Sequence, residues 1–266
     1  MVNFCYAVDE NLVDQVLTSI YSLTINVHRQ FTVNVIAVNC AEVLRRKIGL
    51  EFKSSNPIFN IIEADAELYS NWTSTINHIT PTMYQRLSMT DYLPTVDRVL
   101  YLDADVLVVD DIAELLDVNL DGRSAAAVDD RLALFESFNS GVMLVDLKKL
   151  RSSNFINDVN AVHENCPQAT DQAILNFVLG NDVLRVNPVF NCMVGQLKAK
   201  NVREFMRNHG RVDVRVLHFA GPDKPWDSSN VPAAGVYKMY ANRDVNRVLE
   251  GQLLRIYVGK VRNERQ

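Results

Sequence analysis

Short apolar runs alternate with stretches of helical periodicity over the first sixty residues of the chain. Residues 3–8, 31–38 and 58–62 are rich in β-branched and aromatic side chains, as buried strands are. Apolar residues recur at helical spacing between the first two runs, and residues 41–52 predict a second helix. This β-α-β-α-β alternation is typical of a parallel sheet covered by helices, so we expect an α/β protein.

The rest of the chain continues the pattern less regularly. Further strands are predicted at 98–102, 125–128, 141–147 and 214–219. Helices are predicted at 81–92, from Thr170 to Gly180, and at 248–257. No repeat and no clear linker interrupts the sequence, which indicates one domain with a C-terminal extension.

Composition and charge exclude several classes of function. The 266 residues lie within the range of one large α/β domain. The net charge of −5 is not the positive excess that is typical of nucleic-acid-binding proteins. The N-terminus has no basic, apolar leader, and no run reaches transmembrane length. The four cysteines are scattered without a Cys-x-x-Cys pair, as in a protein with reduced thiols. We therefore expect a cytoplasmic protein.

Two carboxylates follow one of the predicted strands. The run 98–102 ends in Asp103-Ala104-Asp105, and in an open α/β sheet ligands bind beyond the carboxyl ends of the strands. Converging carboxylates repel each other unless a cation neutralises them. Taken alone, the pair is also typical of an acidic turn.

A second strand end supplies complementary groups. The strand at 214–219 contains His218, and the loop that follows contains Lys224. A set of Asp oxygens and one His nitrogen, with room for phosphate oxygens, suits Mn²⁺ better than Zn²⁺ or an all-oxygen Mg²⁺ site. Lys224 can place a point charge on a phosphate. A lone histidine is usually structural and a lone lysine is usually solvated. Here the two occur at the end of one strand and in the Gly- and Pro-containing loop that follows it, which favours a binding site of defined shape.

Six ordered sequence blocks resemble those of glycosyltransferase family 8. The blocks are AVDEN (7–11), HITPTMYQRL (78–87), YLDADV (101–106), FNSGVMLVDL (138–147), TDQAILN (170–176) and HFAGPDKPW (218–226). This retaining family includes bacterial lipooligosaccharide galactosyltransferases and glycogenin. The resemblance implies a GT-A fold, which is a Rossmann-like, mixed, mainly parallel sheet flanked by helices. It also implies a catalytic domain over 1–226 and a C-terminal helical extension over 227–266.

The resemblance assigns roles to individual residues. The implied metal ligands for Mn²⁺, with Mg²⁺ as a possible substitute, are Asp103, Asp105 and His218. The implied donor-binding residues, besides Asp103 and Asp105, are Ala7, Asp9, Asn11, Arg86, Ala104, Asn139, Ser140, Gly221 and Lys224. The implied catalytic residues, which bind the sugar or lie beside its anomeric carbon, are Asp129, Asp171 and Gln172. Without the flanking matches, Asp9 would be interpreted as a helix cap and Arg86 as a surface charge.

The expected reaction moves galactose or glucose from a UDP-hexose donor to a saccharide or related hydroxyl acceptor. Gln172 stands where a double displacement would need a nucleophile, and an amide is a poor one. Front-face attack by the acceptor hydroxyl, with the departing phosphate as base, is therefore favoured. Covalent action by Asp171 remains the alternative.

The chain departs from its relatives in three places. The segment 130–137 is shorter than the corresponding lid of the lipooligosaccharide enzyme, so the resemblance does not determine the identity of the acceptor. Residues 187–200 contain no tyrosine, so self-glycosylation of the glycogenin kind is not expected. The C-terminal Lys260, Arg262 and Arg265 allow at most weak peripheral contact with a membrane.

Two other functions are compatible with such a sheet. A sugar-1-phosphate nucleotidyltransferase normally has a Gly-rich, basic loop after its first strand, and AVDENLVDQ has neither property. A sugar-nucleotide-binding protein without activity would be indicated by loss of Asp103, Asp105, His218 or Lys224, and all four are present.

Overall fold

Two β-sheets organise the protein, whose computed structural model describes residues 1–53, 56–74, 80–130, 136–197 and 214–244. The strands of the larger sheet are β1 Val2–Asp9, β2 Phe31–Val38, β3 Ile58–Glu63, β4 Arg98–Leu102, β6 Ala125–Asp129, β7 Phe138–Asp146 and β8 Val183–Arg185. The strands of the smaller sheet are β5 Val106–Val108, β9 Cys192–Met193 and β10 Val216–His218. The larger sheet has the order β3-β2-β1-β4-β7-β6-β8, and the smaller sheet has the order β5-β10-β9.

Helices cover both faces of the larger sheet. The α-helices are α1 Val13–Asn26, α2 Ala41–Glu51, α3 Met89–Tyr92, α4 Ala113–Leu116, α5 Leu147–Arg151, α6 Phe155–Asn165, α7 Asp171–Leu179 and α8 Ala234–Ala241. Short 3₁₀ segments lie at Glu10–Leu12, Pro81–Ser88, Pro188–Phe190 and Val194–Leu197. The expected α/β class is confirmed.

The larger sheet is mixed but mainly parallel, as predicted. Strands β3, β2, β1 and β4 run parallel, and β7 runs antiparallel to its neighbours β4 and β6. Strands β1, β2 and β4 are mostly buried and have nearly continuous apolar sequences, whereas the edge strand β3 is partly exposed. Along β1, Phe4 and Tyr6 pack on the same face as α1, whereas Cys5 packs on the opposite face with Tyr84 and Ile174.

A third apolar cluster joins the smaller sheet to the C-terminal part of the described chain. It includes Leu107 of β5, Leu217 of β10 and Tyr237 of α8. Asn26 of α1 donates a hydrogen bond to the Tyr240 hydroxyl at 3.1 Å, which ties α8 to the main body. The described residues after 226 therefore pack on the sheets, whereas the boundary at 226 stays a prediction and the helix expected at 248–257 lies outside the described residues.

The helix predicted at 81–92 is present over these residues, but most of it is 3₁₀ and not α-helical. The chain forms a 3₁₀ segment over Pro81–Ser88 and only one α-helical turn, α3, after it. Tyr84, Gln85, Arg86 and Leu87 are all buried, so the segment presents no amphipathic α-helical face. Side-chain hydrogen bonds to other segments, such as Gln85 Nε2 to the Asp65 carbonyl at 2.8 Å, hold the backbone instead.

Two predicted strand boundaries also differ from those observed. The strand expected at 141–147 begins three residues earlier, because Phe138 still pairs with Asp129 of β6. The strand expected at 214–219 is limited to Val216–His218.

The strand ends that carry the candidate site residues meet at one edge of the larger sheet. Strands β1 and β4 are parallel, so their carboxyl ends lie at the same edge of the sheet. Asp9 is the last residue of β1, and Asp103 directly follows β4. Because β7 is antiparallel to β4, its first residues lie there as well, and Asp103 N donates to the Gly141 carbonyl at 2.9 Å. Helix α7 begins beside them, since Asn176 bonds both backbone groups of Phe138.

We predict that Asn176→Ala lowers the free energy of unfolding by about 1–3 kcal/mol for each backbone group of Phe138 that loses its partner. The side chain accepts from Phe138 N at 2.8 Å and donates to Phe138 O at 2.9 Å, and Phe138 is fully buried. Urea unfolding measures the change. Asn165→Ala is the control, because Asn165 is exposed and, among the described residues, donates to its own helix at Ala161. Equal effects of the two substitutions would contradict the anchoring of α7 on β7.

Candidate active site

Asp103, Asp105 and His218 converge at the edge of the larger sheet. The two aspartates lie in the turn between β4 and β5, and β5 pairs antiparallel with β10 so that His218 is opposite Val106. His218 Nε2 lies 3.7 Å from Asp103 Oδ2 and 3.4 Å from Asp105 Oδ1. One ligand atom from each residue lies within 4.8 Å of the others, as in a site that can hold a metal ion.

The atoms around this cluster fit a divalent cation. Asp105 Oδ1 is buried and accepts no hydrogen bond from any residue that the structure describes. A buried carboxylate oxygen without a partner is costly, and a cation would satisfy it. Gly141 leaves the necessary room, because a Cβ atom there would lie 2.2 Å from His218 Cε1 and 2.7 Å from Asp103 Oδ2. Oxygen and imidazole ligands are compatible with Mn²⁺ among other divalent ions.

Lys224 supplies a positive charge at the rim of the cluster. Its Nζ atom lies 2.6 Å from Asp105 Oδ2 and donates to the Phe219 carbonyl at 3.0 Å. Burial raises the pKa of Asp105, but His218 in its protonated form, together with Lys224, outweighs burial and holds that pKa well below the ordinary range. Gly221 begins the turn that brings Lys224 back, and its φ of +99° is a conformation that side-chain-bearing residues rarely adopt.

The buried Arg86 guanidinium connects three segments of the site. Its Nη2 lies 2.8 Å from Asp103 Oδ1, and its Nε lies 2.8 Å from Asp171 Oδ2 at the start of α7. Its Nη1 donates to the carbonyl and the hydroxyl of Ser140 at the start of β7. Burial lowers the pKa of Arg86, but Asp103 and Asp171 more than offset that effect and raise it above its usual value. Arg86 is therefore a buried connector and not a surface charge.

Asp171 is held mainly by charge. Its side chain is almost fully buried, and Oδ2 has no well-aligned hydrogen bond although Arg86 Nε is close to it. Burial, and secondarily the negative charge of Asp103, raise the pKa of Asp171, while Arg86 acts in the opposite direction. Asp103 is further engaged by the hydroxyl of Tyr101, which donates to its Oδ1 at 3.0 Å.

Gln172 lies in a network beside the Arg86 cluster. Its Oε1 accepts from Ser140 N at 3.1 Å, from Ser140 Oγ at 3.3 Å and from Asn139 Nδ2 at 3.2 Å. Its Nε2 donates to Asp130 Oδ2 at 3.0 Å. The structure thus brings Asn139, Ser140 and Gln172 together beside Asp171, and their contacts with a donor sugar stay predictions.

Asp129 is not brought into this network. Its carboxylate pairs with Arg185 Nε at 2.7 Å, and its side chain is 56% exposed. The next residue, Asp130, contacts Gln172 instead. The role of Asp129 stays a prediction, and Asp130 is a site residue that the sequence did not single out.

The residues expected to hold the nucleoside lie at the end of β1. Asp9 is buried and its Oδ1 accepts from Asn11 N at 3.0 Å, so it caps the following 3₁₀ turn. Ala7 is partly buried and paired with Ile36 of β2. Ala104 is buried in the core. Contacts of these residues with a nucleoside stay predictions.

Asn191 is a second residue that the sequence did not single out. Its side chain is buried and its Oδ1 lies 2.9 Å from His218 Nδ1. The only signal in the sequence is one polar residue within the apolar stretch VFNCMV.

The fold and the cluster define an α/β protein with a potential divalent-cation site at its strand ends. The family model described as "Glycosyl transferase family 8" matches residues 3–230, and the chain therefore belongs to this family. Its fold is the GT-A fold of the solved neighbours. The galactosyltransferase LgtC, in complex with donor and acceptor sugar analogues, aligns with a TM-score of 0.80 at 25% identity, over 91% of this chain and 96% of LgtC.

Curated relatives are similarly distant. The lipopolysaccharide 1,2-glucosyltransferase of Escherichia coli K12 is 28% identical over 261 residues, which cover 90% of this chain and 77% of that protein. Glycosyltransferase GlyF of Streptococcus pneumoniae serotype 4 is 29% identical over 193 residues, which cover 69% of this chain. The chain spans only about half the length of GlyF, at 47%. No helix in the described part of the chain is long and apolar enough to cross a membrane.

We predict that Arg86→Ala lowers the free energy of unfolding by about 3–5 kcal/mol, because it leaves the buried Asp171 beside the partly buried Asp103 without the cation that they share. Urea unfolding of the purified variant measures the loss. Arg29→Ala is the matched control, because Arg29 makes a two-pronged but exposed ion pair with Asp117, whose loss should change stability much less. Similar losses in the two variants would contradict the connecting role of Arg86.

Proposed function

We propose that this protein transfers a hexose, galactose or glucose, from a UDP-linked donor to a hydroxyl group of a saccharide acceptor. The transfer retains the anomeric configuration and uses Mn²⁺, for which Mg²⁺ is a possible substitute. The observation that carries the proposal is the convergence of Asp103, Asp105 and His218 beside Lys224. The predicted cytoplasmic location, with at most weak membrane contact, belongs to the same proposal.

Membership of the family and two well-covered relatives support this proposal. LgtC, a galactosyltransferase, is matched over 96% of its chain, and the E. coli lipopolysaccharide glucosyltransferase over 77% of its length. Both hexoses therefore remain candidates. A form of LgtC described as an active-site mutant, with glutamate in place of a glutamine, aligns at a TM-score of 0.79 and 25% identity. That likeness is consistent with a glutamine such as Gln172 in the site.

The diphosphate of the donor would lie over the acidic cluster. Asp103, Asp105 and His218 would hold the divalent ion, which when bound would supply positive charge against the leaving diphosphate. Lys224 would share its ammonium group between Asp105 and a phosphate oxygen, since its side chain is partly exposed. Arg86 would keep Asp103 and Asp171 in place, because most of its N–H groups already point at protein atoms.

The network around Gln172 favours front-face attack over double displacement. Its amide oxygen already faces three donors of Asn139 and Ser140, and an amide is a weak nucleophile. Asp171 would have to leave Arg86 and its buried position before it could attack the sugar. The acceptor hydroxyl would therefore attack from the side of the leaving group, and the departing phosphate would take its proton. Gln172 would position the sugar.

We predict that the protein releases UDP from UDP-galactose or UDP-glucose with Mn²⁺, more slowly with Mg²⁺, and not in excess EDTA. Asp103→Asn should lower the rate at least about a hundredfold, because a neutral amide cannot replace a charged ligand at the leaving group. Asp110→Asn is the control, since Asp110 is a nearby exposed carboxylate outside the cluster. A coupled assay of released UDP over a panel of nucleotide sugars measures both.

Two outcomes, one of this assay and one of calorimetry with UDP, would contradict the proposal. An unchanged rate in EDTA would remove the role of the metal. Calorimetric binding of UDP without release from any sugar nucleotide, also with added saccharides, would favour the sugar-nucleotide-binding alternative.

A second prediction concerns the two neighbouring aspartates. Asp130→Ala should slow turnover about tenfold or more while UDP affinity is unchanged, because Gln172 Nε2 loses a charged acceptor. Asp129→Ala should have a smaller effect, since Asp129 pairs with Arg185 and is more than half exposed. Steady-state kinetics and UDP calorimetry on both variants distinguish them. A larger loss in Asp129→Ala would restore the assignment that the family resemblance gave.

A further inference from the structure

Asn191 lies beneath the acidic cluster and is none of the residues proposed above to contact the donor or the ion. It follows the 3₁₀ turn Pro188–Phe190 and precedes β9, and its side chain is almost completely buried. Its amide connects two site residues. Oδ1 lies 2.9 Å from His218 Nδ1, and Nδ2 donates to Asn139 Oδ1 at 2.8 Å.

A backbone group decides the orientation of these amides. The N–H of Gly141 can only donate, and it lies 3.1 Å from the Asn139 side-chain atom assigned as Oδ1. That atom must therefore be the oxygen. Asn191 must then present its NH₂ group to the same oxygen, which leaves its own oxygen facing His218.

The orientation of Asn191 in turn decides where His218 carries its proton. An amide oxygen only accepts hydrogen bonds, so His218 Nδ1 must be the donor. In neutral imidazole, Nε2 then keeps its lone pair. Nε2 is the atom that faces Asp103 Oδ2 and Asp105 Oδ1.

The orientation of the Gln172 amide, at the other end of this series of hydrogen bonds, is fixed in the same way. The backbone N–H of Ser140 lies 3.1 Å from Gln172 Oε1, which identifies that atom as the oxygen, and Asn139 Nδ2 donates to it at 3.2 Å. The hydrogen bonds therefore run with one polarity from His218 through Asn191 and Asn139 to Gln172.

We propose that Asn191 is a positioning residue that holds His218 in the Nδ1-protonated tautomer and so keeps Nε2 available to a divalent ion. Through Asn139 it also fixes Gln172 relative to that ion. The inference rests on the metal site of the proposed function. Groups that orient a metal-binding histidine typically change metal affinity about 10–100-fold.

The first test needs neither metal nor donor. Nitrogen-15 NMR of the histidine-labelled, metal-free protein at mildly alkaline pH reports which ring nitrogen carries hydrogen. The chain has five histidines, so the His218 signal is identified by its loss in His218→Gln. We expect the Nδ1–H tautomer. An Nε2–H tautomer in the wild-type protein would overturn the inference.

The second test compares three variants by calorimetry with MnCl₂ alone. Asn191→Leu removes the acceptor at similar size and should weaken Mn²⁺ binding about 10–100-fold, with a mixture of tautomers in the NMR spectrum. Asn191→Asp still accepts from Nδ1–H and should keep the Nδ1–H tautomer, although it no longer donates to Asn139 Oδ1. Asn187→Ala is the control, because Asn187 caps the same turn at Val189 N without reaching His218.

Wild-type affinity and tautomer in a folded Asn191→Leu variant would overturn the inference. So would a loss in Asn187→Ala as large as that in Asn191→Leu, because the turn as a whole would then be responsible. If Asn191→Leu does not fold, the Asn191→Asp variant and the wild-type NMR spectrum decide. A wild-type protein that binds no Mn²⁺ would refute the metal site of the proposed function. The tautomer of His218 measured by NMR would still stand, because that measurement needs no metal.

Discussion

The guanidinium group of Arg86 holds together β4, β7 and α7 at the point where the site forms. Asp103 and Asp171 come from different elements and would repel each other in a buried environment, and Arg86 lies within 2.8 Å of both. A buried charge pair adds little net stability compared with apolar packing, but the loss of one partner is costly. The arrangement therefore determines where α7 begins relative to β4, and with it the positions of Gln172 and the acidic turn.

The charges named around the site are not balanced. Asp103, Asp105, Asp130 and Asp171 are opposed only by Arg86 and Lys224 among these residues, which leaves an excess of two negative charges when His218 is neutral. A divalent cation matches that excess. The same cation would allow a negatively charged diphosphate to approach carboxylates that would otherwise repel it.

The sequence predicted the parts of the protein that depend on local pattern and on strand ends. Strands β1, β2 and β3 follow from their apolar runs, and Asp103, Asp105 and His218 meet because each lies at or after the end of a strand. The 3₁₀ geometry of Pro81–Ser88 depends on which side chains are buried on all sides, which no periodicity reveals. Asp130 and Asn191 make side-chain hydrogen bonds to residues distant in sequence, and such partners are set by packing alone.

The pairing of β5 with β10 has a consequence for how the protein folds. Asp103 and Asp105 are far from His218 in the sequence, and the histidine reaches them only when β10 has docked between β5 and β9. Contacts between such distant segments form late, because the chain entropy lost in closing the loop is large. During synthesis on the ribosome, the acidic turn is made long before His218. The cluster of Asp103, Asp105 and His218 is thus complete only once the chain has been made through β10 and β10 has docked.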